Sequence, residues 1–282
     1  QAADAIALKR AELALVVGAE SMSRNPVAAY THRGGFRLGA PVEFKDFLFE
    51  ALMDTAVSCN MGDTAENLAK RNRISREEVD AFASRSFARA IEAQKSGFLA
   101  GEIAAVKNES FEREGMNARG VRLPSRDLVI EADTHIRPSP IEALAKIRPA
   151  FGGVQTGGNS SAIVDGAAAA LIASASYAKS KGVKPLAHVR AWASVGVEPR
   201  YMGIGPVPAI RAVLDRAGLA LDKVDRFEIN EAFGAQVMAC SRDLGLDEDK
   251  LNVNGGAIAI GHPLAASGVR LSVTVARELQ DR

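Results

Sequence analysis

The chain has 282 residues, of which 47% are hydrophobic and 24% charged, with a formal net charge of +1. This is the composition of a soluble globular protein with one large or two medium domains, and it argues against a nucleic acid or an anionic membrane held by bulk charge. No apolar run reaches the roughly 18 residues of a membrane span, and no basic-then-apolar leader pattern opens the chain. The only cysteines, Cys59 and Cys240, form no metal or redox spacing, so a reducing, cytoplasmic setting is expected.

Taken in chain order, residues 1–12 show helical spacing (Ala5, Ile6, Leu8) with no Ser, Thr or Asn cap in front. Residues 13–19, LALVVGA, form a short apolar run that predicts a fully buried parallel strand. The loop 20–23 then lies at the strand's carboxyl end, where α/β folds place ligands. Residues 24–62 are irregular, and Phe44, Phe47 and Phe49 are expected to pack a lid or loop region. Residues 64–96 are helical, with a capping box at Ser75–Glu78 and an apolar face of Val79, Phe82, Ala83, Ala90 and Ile91. Residues 97–150 are loop-rich and charged, and the whole middle reads as an insertion in an α/β domain.

A Gly/Asn/Ser turn region follows at 154–168. From there the pattern alternates: a short element at 168–173, a helix from near Ser176 and a strand at 186–195. A helix from Pro206 or Pro208 to Ala217, a strand at 224–230, a helix at 231–244 and a last helix at 268–282 complete it. This alternation predicts a mostly parallel, layered sheet. Both ends of the sequence fall inside helical patterns without caps, so a piece of a longer chain is expected.

His262 is the first candidate for chemistry. Gly255, Gly256 and Gly261 allow close backbone approach around it, Pro263 fixes the next φ angle, and free N–H groups of the following helix can face a negative charge. An imidazole so held can serve as a general base or an oxyanion donor. Asn230 reads either as the N-cap of the 231–244 helix or as a polar group at the sheet's carboxyl edge. The glycine loop matches neither Walker A nor a G-x-G-x-x-G fingerprint. No G-x-S-x-G supports a serine hydrolase, and Asn159, Ser160 and Ser161 read by default as a turn.

The blocks GAESMSR (18–24), MGDTAENLA (61–69), AKIRPAF (145–151), GNSSAIVDGAAAA (158–170), NEAFGAQ (230–236) and NVNGGAIAIGHPLAASGVR (252–270) resemble thiolase blocks, in thiolase order. The resemblance implies an α/β fold with thiolase-like αβαβα layers: two similar domains and a coenzyme A loop domain. Residues 1–150 would be the remainder of the N-terminal domain, with the loop insertion at about 24–150. Residues 151–282 would be the C-terminal domain without its last strands. It also implies an acyl-CoA acyltransferase that cleaves 3-ketoacyl-CoA with CoA, or runs the reverse Claisen condensation, through an acyl-cysteine. CoA thioesters would be substrates and no cofactor or metal is implied; the assembly would be a homodimer or homotetramer.

On this resemblance His262 activates the thiol and donates to the thioester oxygen, and Asn230 holds the oxyanion water. Met61, Ser161 and the 143–151 segment, with Ala143 and Ile147, line the CoA path, and Arg137, Lys146 or Arg148 meets the phosphates. The blocks that carry the nucleophilic and acid/base cysteines of the family have no counterpart here, and Cys59 and Cys240 match neither. Hence the alternative is an inactive fragment or an acyl-CoA-binding or partner-binding remnant. Asn60, where biosynthetic members often carry His, Ala265, where Gly is usual, and the SSAIVDGAAA form lean the reading towards the degradative reaction.

Overall fold

The computed structural model of the chain describes residues 1–123 and 129–280. Residues 124–128, inside the expected insertion, and 281–282, at the end of the expected last helix, lie outside them. The chain opens with α1 (Ala2–Ala7), β1 (Leu13–Ser21), β2 (Val27–Ala28), β3 (Lys45–Asp46), α2 (Phe47–Ala51), β4 (Met53–Asp54) and β5 (Cys59–Asn60). Two long helices follow, α3 (Met61–Asn72) and α4 (Arg76–Lys95). Then come β6 (Val106–Lys107), β7 (Glu109–Phe111), β8 (Arg119–Val121), β9 (Val129–Ile130), α5 (Ile141–Leu144), β10 (Asp165–Ala173) and α6 (Ala175–Ser180). The remainder is helical: α7 (Pro206–Ala217), α8 (Gly234–Leu244), α9 (Ala257–Ile260) and α10 (Leu264–Glu278).

The long helices start where side chains satisfy free amides. Ser75 accepts from the Glu78 N–H at 3.3 Å while Glu78 accepts from the Ser75 N–H at 2.8 Å, which is a complete capping box. Asn60 and Asp63 do the same for α3 at 2.9 Å each way. Asn60 is thus a helix cap. Pro206 opens α7, where a missing N–H costs nothing. Helices α3, α4, α8 and α9 pack around one core, with Leu68, Val79, Phe87, Val237, Leu251 and Ile258 each at most 1% exposed. Each such side chain contributes roughly 1.5–3 kcal/mol by leaving water.

The expected parallel sheet is not what forms. Among the described residues all five ladders are two-stranded and antiparallel, and the one parallel pairing is an isolated bridge between Phe227 and Leu251. β1 runs antiparallel to β10, from Leu13 opposite Ala173 to Ser21 opposite Asp165. Its burial alternates: Val16 and Gly18 face α10, whereas Leu15 and Val17 are 66% and 60% exposed. The run is apolar on both faces, but among the described residues only one face is covered.

Residues 186–195 form no ladder either. Side chains use their carbonyls instead: Gln280 Nε2 donates to Leu186 O at 2.9 Å and Arg216 donates to Trp192 O. Phe44, Phe47 and Phe49 are exposed rather than packed. The α8 helix begins at Gly234, not Glu231, because Phe233 is extended and bridges Ser160. Asn230 is therefore not a helix cap.

Candidate active site

Three extended segments meet between the ends of α8 and α10. Residues 159–162 run through the middle. On one side the Ser161 N–H donates to Ala232 O at 3.0 Å, and the Gly234 N–H donates to Asn159 O at 2.9 Å. On the other the His262 N–H donates to Ala162 O at 3.2 Å. Ser161, Asn230 and His262, separate in sequence, are thereby brought to one place. The Asn230 Nδ2 lies 3.3 Å from His262 Nε2.

The imidazole is held from its far side as well. The Ser267 hydroxyl, one turn into α10, lies 2.6 Å from His262 Nδ1 and donates its proton to Pro263 O at 3.1 Å. With that proton committed, the hydroxyl oxygen accepts from Nδ1–H, which leaves the lone pair on Nε2, towards Asn230. Burial, then the charge of Arg270, hold the His262 pKa below its usual value. The ring is therefore neutral near pH 7 and able to accept a proton at Nε2. Asn230 Oδ1 is buried with no hydrogen-bond partner, so a polar atom is left over where a water or a substrate group could bind.

Glycines set the height of this ring. Gly261 has φ +115°, closed to most side chains, and a Cβ there would lie 2.5 Å from Val164. A Cβ on Gly18 of β1 would fall 1.9 Å from Ala265 O, so the first turn of α10 rests directly on the strand backbone. Ala265 itself is exposed.

The residues expected along the CoA path lie in different settings. The Phe151 ring stands where a Cβ on Gly62 would be, next to Met61, and meets Phe233 edge-on at 6.0 Å. Arg76 of α4 bonds Asp80 at 2.7 Å and donates to Leu144 O and Ile147 O at 2.8 and 2.9 Å. Asp80 in turn accepts from Asn159 at 2.8 Å. Met61 and Ser161 are half-buried, while Ala143, Lys146, Ile147 and Arg148 form an exposed lip. Arg137 is turned to other partners, over the Phe87 ring at 5.2 Å and against the His135 ring at 3.0 Å.

Neither cysteine is disposed for nucleophilic attack. Cys240 is fully buried in α8, its thiol hydrogen-bonded to Gly203 O at 3.3 Å, and burial pushes its pKa up to about 12. Cys59 is buried with its thiol towards Val57 O. Among the described residues no group of three or more His, Cys, Asp or Glu could hold a metal ion. No described helix is long and apolar enough to cross a membrane.

Sequence reasoning passed over four residues around this site. Ser267 holds the ring, and Glu231 sits fully buried beside Asn230. Glu228 and Arg270 form a half-buried pair at 3.6 Å, with burial of the Glu228 carboxyl raising its pKa to about 8 against the pull of Arg270. The available signal was polarity out of place, since Asn230 and Glu231 stand between Ile229 and the apolar Ala232–Phe233.

The description "Thiolase, N-terminal domain" matches residues 1–176 and "Thiolase, C-terminal domain" matches residues 183–282. The chain is 42% identical over 280 residues to the acetyl-CoA acetyltransferase of Shinella zoogloeoides, covering 98% of this chain and 68% of that protein. It is 40% identical over 280 residues to the mitochondrial 3-ketoacyl-CoA thiolase of Homo sapiens, covering 98% and 67%. The crystal structure of the human mitochondrial enzyme in complex with CoA superposes with a TM-score of 0.88 at 40% identity, over 99% of this chain and 67% of that one. That of the Bacillus anthracis acetyl-CoA acetyltransferase gives 0.87 at 37%, over 99% and 68%.

Proposed function

The chain belongs to the thiolase family, and from that premise we propose that it carries the imidazole and amide of an acyl-CoA acyltransferase site. The observation behind this reading is the Asn230–His262 contact at 3.3 Å, with Nδ1 occupied by Ser267 and Nε2 left basic. In the thiolytic direction Nε2 takes the proton of a nucleophilic thiol. The thiolate attacks the 3-keto carbon of the substrate, the C2–C3 bond breaks, and acetyl-CoA leaves after protonation at C2. CoA then attacks the acyl-cysteine, releasing the shortened acyl-CoA and restoring the thiol. His262 and the water held by Asn230 bear the negative charge that develops on the thioester oxygen.

The acyl-cysteine in this scheme is neither Cys59, which is buried, nor Cys240, which is buried with a raised pKa; as the sequence has no other cysteine, the thiol would lie outside these 282 residues. The same two cysteines favour a second reading, a chain that binds acyl-CoA without turnover. Residues 24–150 would supply the lip of the CoA path and residues 151–282 the imidazole and amide. A homodimer or homotetramer in the cytoplasm completes the proposal, and sedimentation tests the assembly.

The deciding experiment mixes acetoacetyl-CoA with CoA, follows loss of the 3-ketoacyl thioester, and weighs the acid-quenched protein. In a longer protein that holds these residues together with the acylated cysteine, thiolysis without an adduct on Cys59 or Cys240 supports the first reading. CoA binding without thiolysis supports the second. A stoichiometric, CoA-removable adduct on either cysteine overturns both. Ser161→Trp should abolish CoA binding, and undiminished affinity would remove Ser161 from the path.

A further inference from the structure

Glu231 is 1% exposed and belongs to no helix or strand. Three donors converge on its carboxylate: Ser86 Oγ of α4 at 2.6 Å, Asn252 Nδ2 at 3.0 Å and the Ile258 N–H of α9 at 3.1 Å. The Ser86 oxygen accepts from the Gly256 N–H at 3.0 Å, so its own proton goes to Glu231. Asn252 cannot turn round, because its Oδ1 accepts from the Ile229 N–H at 2.9 Å while Nδ2 donates to Ile229 O at 2.8 Å. Every neighbour that hydrogen-bonds this carboxylate is a donor, so the site is built for the ionised form. Burial raises the Glu231 pKa, and the hydrogen bonds from Ser86, Asn252 and Ile258, then the charge of Arg270 on α10, work against it; Arg89 on α4 also feels its charge. A Cβ on Gly256 would lie 2.1 Å from the carboxylate carbon, so the loop backbone is pressed against it.

We infer that Glu231 is a positioning residue that sets the Asn230–His262 distance by clamping the segment 229–231 to the segment 252–258. Asn230 is its neighbour in sequence, and His262 follows the clamped α9 by way of Gly261. The clamp thus acts on both sides of the 3.3 Å contact and touches neither side chain in it. Glutamine cannot replace it: with its oxygen kept on Ser86 and Ile258, its NH2 meets the Asn252 NH2, donor against donor. The inference rests on the proposed function for its catalytic meaning, though its geometric content does not.

The test therefore pairs a readout free of catalysis with one that needs it. The first is the tautomer and titration of His262 by imidazole 15N NMR, in wild type, Glu231→Gln and Ser86→Ala. The comparison variant is Glu66→Gln, which alters another buried carboxylate that accepts two backbone N–H bonds, from Val154 and Gln155. Glu231→Gln should let Asn230 drift from Nε2, mix the tautomers and raise the His262 pKa by about half a unit or more. Ser86→Ala should do the same to a smaller degree, and it carries the test where Glu231→Gln does not fold. Glu66→Gln should lower Tm and leave His262 unchanged. A wild-type His262 titration in a folded Glu231→Gln or Ser86→Ala protein, with only Tm reduced, overturns the inference.

The second readout is thiolysis, in which Glu231→Gln should lower kcat about tenfold with KM within about twofold. An equal rise in KM with kcat unchanged overturns the inference. If His262 shifts in a protein without thiolysis, the clamp stands and the proposed activity falls.

Discussion

The segments around Glu231 and the β1–β10 ribbon solve opposite problems. Around Glu231 the chain is irregular and buried, and a carboxylate, an amide and a hydroxyl take up the backbone groups that no helix or sheet would satisfy. In the ribbon the backbone is satisfied by the ladder, and the residues are apolar on both faces with cover on one. Hydrophobic patterning therefore says what a segment can bury, whereas a polar residue in a buried loop says what must be partnered, and where. The first is a statement about capacity and the second about geometry, which is why chemistry gathers at the irregular region.

The sharpest way to separate the two regions is through turnover. In an active protein, His262→Ala should lower acyl transfer by about 10²–10⁴-fold through loss of the base, and Asn230→Ala by about 10²-fold through loss of the oxyanion water. A wild-type rate for either removes it from the site. In stability the order follows burial. Phe87→Ala, at 1% exposure in the shared core, should cost about 3–5 kcal/mol in denaturant unfolding. A loss below about 1 kcal/mol would mean that the core lies elsewhere.

The buried Glu228 gives a smaller, pH-dependent effect. Its pKa is about 8 when folded, above its usual 4.5, so the folded state holds the proton more tightly. The stability this contributes is complete below about pH 4.5 and is lost as pH rises towards 8. Glu228→Gln cannot ionise, so its Tm relative to wild type should climb by a few degrees between pH 5 and pH 9. A flat difference would put Glu228 in water. Smallest of all, Leu15→Ser on the bare face of β1 should change stability by less than about 0.5 kcal/mol. A loss of several kcal/mol would show that this face is covered in solution.

Much of the helical layout was legible because its signals are local. Ser75 and Glu78 announced α4, and Pro206 and Pro208 announced α7, which opens at the first of them. The order of the strands was not legible, since an apolar run does not name its neighbour, and β1 found β10 in antiparallel register instead of a parallel partner. The start of α8 was displaced by three residues because Glu231 is drawn to Ser86, Asn252 and Ile258, a pull invisible to propensity. At the site, His262 and Asn230 stood out by motif, and the structure brings them within 3.3 Å of each other. Glu231 and Ser267 did not stand out, since their importance lies in partners supplied by other segments.

The seat under α10 also has a consequence in time. Ala265 rests on Gly18, and Gly18 is fixed by a ladder that joins Leu13 to Ala173 across more than half of the chain. Closing so long a loop is slow compared with forming a helix, and its entropy must be lost before its contacts form. A refolding chain should thus regain its helices, α3 and α4 among them, before the imidazole reaches its working height. Competence would be among the last properties to arrive, timed by a strand that contributes no reacting group.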